Sequence, residues 1–436
     1  MSRNTKRLLI SVIAATLLFG QIQIAGSRLT TGGMPTIGDL VRAGNIPNAA
    51  RLLKSEYSFD KRDGLLALRR FSVLVLRQGL KESDPYERCY AATALVAYSD
   101  WTGREIIFQG LAAPNQMIQK AVLDGLADAD NSEALWILKQ FYRANGPIGR
   151  TLALQALTEV RDPSVMPIFV DAAKDPNSSD AFWAATGLGY VRDNEALAHL
   201  RLLLIKSTDP MVRVQAARSL IMRGDPSKAA LLTVERALHS EDVAEAAGAA
   251  LTLGDKQDPT MAPILRQIES EKRASSEIQV AAAVALTHYG SGQGLPVLNA
   301  ALVDSRLRDF LMPMLVHLNF TLGRPVLLRA MSSPDQRVRL AAIEAIGQNG
   351  SESDVALLIG WTNRAQDPMD LAQIAWSLGR IGGQHSIPGL LDLVQNPTPA
   401  VRDTAADALA HAATVLLAKQ GPRGTQANAP HGTDLE

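Results

Sequence analysis

Cysteine is almost absent from this chain, which has only Cys89. No intrachain disulfide can form, so the fold must rest on packing, and a lone thiol reads first as a small buried apolar side chain. Aromatic residues are scarce at 5%. Ala and Leu recur instead, with Gly and Pro spaced as punctuation, a composition that suits closely packed helices and disfavours sheets. Neither sign of charge is in surplus, because Lys plus Arg and Asp plus Glu both number 44. A protein held on a phosphate backbone by counterion release needs a cationic excess, so nucleic acid is not expected as a partner. Motifs that carry chemistry are missing too: there is no His-Glu-x-x-His, no paired Cys, no Gly-x-Ser-x-Gly and no phosphate-cradling Gly loop. No catalytic residue, cofactor or metal ligand is therefore assigned.

The N-terminus has a recognisable pattern. Three cations, Arg3, Lys6 and Arg7, precede the apolar run Leu8 to Phe19 and then Gly20 to Ser27. This is the shape of a secretory signal over residues 1–26. The run is shorter than the roughly 20 residues that span a bilayer. Cleavage after Ala25 or Gly26, however, would leave Gln23 or Ile24 where a small residue is preferred. A clipped signal and a retained N-terminal anchor both stay open. In either case the bulk of the chain is expected outside the cytoplasm, periplasmic or at the cell surface, with membrane contact only through that anchor.

Internal periodicity dominates the remainder. Eleven copies of one pattern carry helix-cap candidates at Asp84, Asn115, Gly146, Asn177, Asp209, Ser240, Ser275, Asp304, Asp335, Asp367 and Thr398, at a mean spacing of about 31 residues. All but the glycine offer a side-chain oxygen to a free backbone N–H. Eleven positions later stands an aliphatic column: Leu95, Leu126, Leu157, Leu188, Leu220, Leu251, Leu286, Leu315, Ile346, Leu378 and Leu409. Small residues occupy most places one and four before it, as Ala94 and Ala91 do in the first copy. Residues four apart share a helix face. Each copy thus presents a stripe of small and Leu side chains that has no partner unless the next copy supplies one. A second apolar helix lies between stripes, for example Glu133 to Arg143, Asn194 to Lys206 and Pro226 to His239.

An Asp-Pro helix opening, then Val-Arg, Ala-Ala and Ala-Leu, best seen at Val338 to Gly347, Val212 to Leu220 and Val401 to Leu409, resembles the HEAT repeat. It is similar to the short bacterial kind found in phycobilisome lyases, and the resemblance covers about residues 84–419. It implies an all-α, right-handed solenoid with the stripe helices on the concave face. It implies no single function, since such repeats serve scaffolds, receptors and a few enzymes. The expected organisation is a linker over 27–35, an N-terminal helical cap over 36–83, the solenoid over 84–418 and a disordered tail over 419–436. A bend is expected near Asp304 to Gly323, where Leu311, Pro313 and Met314 replace the Ala-rich stripe.

Four caps place an Arg four residues on, at Arg88, Arg213, Arg308 and Arg339, and read as a charge ladder that keeps register. His288, His317 and His411 share a column, but helices packed about 8 to 10 Å apart do not bring such rings onto one metal. The more informative surface lies opposite the Leu column, at positions five, nine and twelve after each cap. It holds Phe182, Val214, Ile221, Val280, Val284, Val316, Leu340 and Trp376, with Tyr90, Trp183 and Phe310 at its edge. One reading packs these side chains against neighbouring repeats through curvature of the stack. The other makes them a groove for an apolar peptide or helix, anchored by aromatics. The functional expectation is a non-catalytic protein-binding scaffold. The alternative is an enzyme or enzyme subunit that attaches a chromophore or cofactor.

Overall fold

The computed structural model describes residues 35–420, apart from 161, 176–178, 226–227, 258, 260 and 272–274. The N-terminal signal or anchor, the Asn177 cap and nearly all of the tail assigned from 419 lie outside the described residues. Among the described residues there is no strand, and no helix is long and apolar enough to cross a membrane.

Two short helices come first, α1 (Ile37–Arg42) and α2 (Ile46–Glu56). Eleven helix pairs follow. They are α3 (Arg62–Gly79) with α4 (Pro85–Val96), α5 (Arg104–Leu111) with α6 (Gln116–Asp128), α7 (Ser132–Ala144) with α8 (Pro147–Glu159), and α9 (Met166–Ala172) with α10 (Ser179–Tyr190). Next are α11 (Asn194–Lys206) with α12 (Pro210–Met222), α13 (Lys228–Ala237) with α14 (Val243–Lys256), and α15 (Ala262–Ser270) with α16 (Ser276–Thr287). The last four are α17 (Leu295–Ala301) with α18 (Ser305–Leu311), α19 (Phe320–Met331) with α20 (Gln336–Asn349), α21 (Val355–Thr362) with α22 (Pro368–Ile381), and α23 (Ser386–Leu393) with α24 (Pro399–Lys419).

Even-numbered helices from α4 carry the stripes, and their starts are dictated locally. Asp84, Asp209 and Asp304 each accept from two backbone N–H groups of the first turn, and Asn115, Ser275, Asp335 and Asp367 accept from one. Pro85, Pro147, Pro210, Pro368 and Pro399 stand in the first turn, where no N–H is needed. In the sixth repeat the expected register fails by two residues. Asp242, not Ser240, caps α14; Ser240 accepts instead from the Asp242 N–H and donates to Glu245. The buried stripe residue there is Leu253 at 0% exposure, and Leu251 is only half-buried. Every other member of the column is buried.

Stripe helices form the inner layer of the stack, each lying along the next, while the outer helices pack mainly on the inner helices beside them and splay apart. Curvature explains the difference, since the inner path is shorter. Close approach needs small residues: a methyl group on Gly379 of α22 would sit 2.7 Å from Ala408 Cβ of α24, and one on Gly254 of α14 would sit 2.8 Å from Ala285 Cα of α16. Ser219 and Ser377 each donate to a carbonyl of the preceding inner helix, Ala185 and Ile343 respectively.

The stack closes on itself. Helix α24 packs along α3 and touches α4 as though they were its next repeat. Tyr98 donates to the Asp407 backbone oxygen and carboxylate at 2.9 and 2.8 Å, Arg402 binds Glu82 at 2.8 Å, and Lys54 of α2 binds Asp392 at 2.7 Å. The segment expected as a cap over 36–83 thus supplies, through α3, the partner face for the far end of the chain.

The charge ladder exists with different rungs. Arg88, Arg213 and Arg339 donate to the two carbonyls just before their caps. The rungs that cross repeats are Arg150 with Asp180, Arg308 with Asp335 and Arg339 with Asp370, and Arg402 with Glu82 carries the series across the closure. In the eighth repeat, Pro313 ends α18 early and a 3-10 turn, Met312–His317, finishes the inner layer.

Candidate functional site

At about 100° per residue, positions two, six, nine and thirteen after a cap fall within roughly 60° of one another on a helix, and positions five and twelve lie well to one side. The first set faces the centre of the ring. The second faces the adjoining inner helix and fills the seam between repeats. This geometry corrects part of the expected binding face: Val214 and Val280 at position five and Ile221 at position twelve are buried at 3%, 0% and 7% exposure. Val284, at position nine, is also buried. Over its helix end lies the following 3-10 turn, where His288 bonds the His317 carbonyl and Thr287 accepts from the Asn319 N–H. All four are covered by neighbouring parts of the chain.

The remaining expected residues are half-buried. Phe182 and Trp183 meet edge to face, with ring centroids 5.2 Å apart. Phe310 packs on the core, and Leu340 lines a cleft of about 470 Å³ with Met312, Pro313, Val316, Arg337, Ala341 and Glu344, where the shortened α18 leaves a notch. Trp376 lies under the Arg380 guanidinium, 5.8 Å from its ring centre. Tyr90 sits at the closure, 3.5 Å from an Asp407 oxygen. These half-buried residues thus lie at four places around the stack, in repeat four, in repeats eight and nine, in repeat ten and at the closure.

Position two was not foreseen, although it lies on the same face as position thirteen, three turns earlier. It exposes Tyr86, Met117 and Ile148 in repeats one to three and Met369 in repeat ten, with Met117 74% and Ile148 61% exposed. Tyr190 and Met222, at position thirteen of repeats four and five, are exposed at the other ends of the inner helices. The central opening can be sized from packing. Eleven helices spaced about 8 to 10 Å put their axes on a circle about 30 Å across. Side chains reaching about 5 to 6 Å inward leave a passage on the order of 20 Å, wide enough for an extended chain or one helix and too narrow for a folded domain.

The wall of this passage is electrostatically uneven. On repeats five to nine most of its charges are paired, Arg218 with Asp255, Arg306 with Glu277, Arg308 with Asp335 and Arg337 with Asp309, while Glu344 accepts a hydrogen bond from Gln348. On repeats two and three, Lys120 pairs with Asp124, but Asp128 and Glu159 enter no ion pair among the described residues. Burial by the surrounding wall pushes the Asp128 carboxyl up; Arg380 across the closure opposes this, and Asp124 and Glu159 add to it. Acids also crowd the closure. Burial raises Asp407 to about 6, against the Tyr98 hydrogen bond, and Asp403 to about 6, against its Arg402 bond. Glu87 rises to about 7 through burial and the charges of Asp403, Asp84 and Glu82. Burial and nearby arginines lower His317 and His411. Among the described residues no group of three His, Cys, Asp or Glu side chains is placed to hold a metal ion.

The chain carries HEAT repeats: a model of HEAT repeats matches residues 73–158 and 166–234, and a model of the single HEAT repeat matches 324–348. It matches no curated protein. Among solved structures it is similar to the complex of CpcE and CpcF of phycocyanin lyase from Nostoc sp. PCC7120, at 16% identity and a TM-score of 0.37, covering 52% of this chain and 92% of that one. It is also similar to human deoxyhypusine hydroxylase in complex with glycerol, at 18% identity and a TM-score of 0.26, covering 57% of this chain and 96% of that one.

Proposed function

We propose that this protein is a non-catalytic scaffold that acts outside the cytoplasm and holds a segment of a protein partner in the centre of its ring. The observation that carries the reading is the set of large apolar side chains exposed at position two, Tyr86, Met117, Ile148 and Met369. A solvated helix face favours polar side chains, and a repeated apolar exposure on a concave surface is the signature of a contact surface. Methionine suits such a role, since its flexible thioether adapts to varied partners. The basic and then apolar N-terminus supports export.

The test is photo-crosslinking in native cells from two positions, Ile148 on the inner rim and Ile205 on the exposed outer helix α11. A protein captured from position 148 and not from 205, in a fraction outside the cytoplasm, is the expected result. Capture from 205 alone, or recovery of the chain in the cytoplasm, overturns the reading. A visible absorption band in protein purified from its source would favour the chromophore-attachment alternative.

A further inference from the structure

We propose that the inner wall of repeats one to three is shaped for a cationic amphipathic polypeptide segment, whose aliphatic side chains meet Tyr86, Met117 and Ile148 and whose Lys or Arg side chains meet Asp128 and Glu159. This rests on the scaffold reading above and specifies the chemistry of the partner. The apolar half of the surface is the row of exposed side chains at the N-terminal ends of α4, α6 and α8.

The other half lies one wall-height away. Asp128 and Glu159 are the last residues of α6 and α8. A carboxylate at a helix C-terminus faces the negative end of the macrodipole and is destabilising by about 0.3 to 1 kcal/mol. Neither helix has a basic residue in its last turn to compensate. Both acids are exposed and without an ion pair among the described residues, whereas on the wall of repeats five to nine Asp255 and Glu277 are matched by arginines and Glu344 accepts a hydrogen bond from Gln348. Placed where the fold gains nothing from them, they complement a positive ligand. Arg380 of α22, across the closure, is near enough to favour the charged form of Asp128 but forms no ion pair with it.

Position two and position thirteen are separated by about 16 Å along an inner helix. A ligand lying parallel to the wall therefore needs its apolar and basic groups about five residues apart if extended or about eleven apart if helical. Either form fits the passage.

The experiment is fluorescence anisotropy of the full chain with a labelled peptide carrying Lys at one end and Leu at the other. Asp128→Asn with Glu159→Gln should weaken binding about tenfold and flatten its salt dependence. Met117→Ser with Ile148→Ser should weaken it about tenfold while leaving the salt dependence. Arg337→Gln on the opposite wall should leave it unchanged. Melting temperature separates binding from folding, since neutralising the two acids should leave it level or raise it. Equal binding of a peptide with Glu in place of Lys, unchanged binding by the neutralised variant, or a lower melting temperature for that variant overturns the proposal. A crosslink from position 148 to a partner segment without basic residues also overturns it while leaving the scaffold reading intact; no crosslink there removes the broader reading.

Discussion

Tyr98 and Asp407 lie 309 residues apart in sequence and are joined by two hydrogen bonds, one to the aspartate's backbone oxygen and one to its carboxylate. With Tyr90 nearby, this contact fastens the last inner helix to the first. Tyr98→Phe removes both bonds and leaves a half-buried carboxylate underserved, at an expected cost of about 1 to 3 kcal/mol. Urea unfolding measures the loss. Adding Arg402→Met should lower the urea midpoint further, because it also removes the Arg402 bonds to Glu82 and Asp403.

Register in the sixth repeat can be decided by two alanine substitutions. Leu253→Ala should cost about 2 to 5 kcal/mol, as expected when a fully buried leucine is truncated. Leu251→Ala, at a half-buried inner position, should cost much less. Comparable losses for both would mean that the cap is not at Asp242.

Gly379→Val tests how tightly the inner helices are pressed together. Even its first added carbon would meet Ala408 Cβ at 2.7 Å and Cα at 3.0 Å, and overpacking of this sort costs about 1 to 3 kcal/mol. Gly360 has nothing within 4 Å of an added carbon, so Gly360→Ala should not lower the unfolding midpoint.

The acids at the closure predict a pH dependence. Glu87, at about 7, and Asp403 and Asp407, at about 6, all hold their protons more tightly folded than unfolded. The native state therefore binds more protons across the window from about pH 4 to 7, and the stability these groups contribute is full below it and lost as pH rises through it. His317 and His411 are lowered, so their contribution runs the other way and is lost as pH falls below about 6.5. Carboxylates held low by hydrogen bonds, such as Asp39 and Asp335, titrate below the window. Glu87→Gln with Asp407→Asn removes two of the three acid contributions and leaves Asp403 and the histidines in place. Relative to that variant, the wild type should lose stability between pH 5 and 7.5 in urea titrations; a constant difference would show that these acids titrate normally.

Much of the fold was legible because its signals are local. An Asp cap, a first-turn proline and a leucine eleven residues on are set by the geometry of single helices, so they recur wherever the repeat does. The error at repeat six arose because Ser240 and Asp242 are both competent caps and Leu251 and Leu253 both follow at suitable distances. The candidate face was less legible. Whether Val214 or Ile221 meets solvent depends on how far the next inner helix leans toward it, and curvature is a property of the whole stack. Position two was overlooked because a residue so near the cap looks like part of the turn. Nothing local marks Tyr98 and Asp407 as partners, so closure had no signature in the sequence.

An open solenoid loosens from its terminal units, whose outer faces have one neighbour fewer. Here the first and last pairs hold each other, so no unit is frayed by default. Opening must begin by breaking a contact between two neighbours anywhere around the circuit, and amide exchange along the inner helices should therefore be nearly uniform instead of fastest at the two extremities.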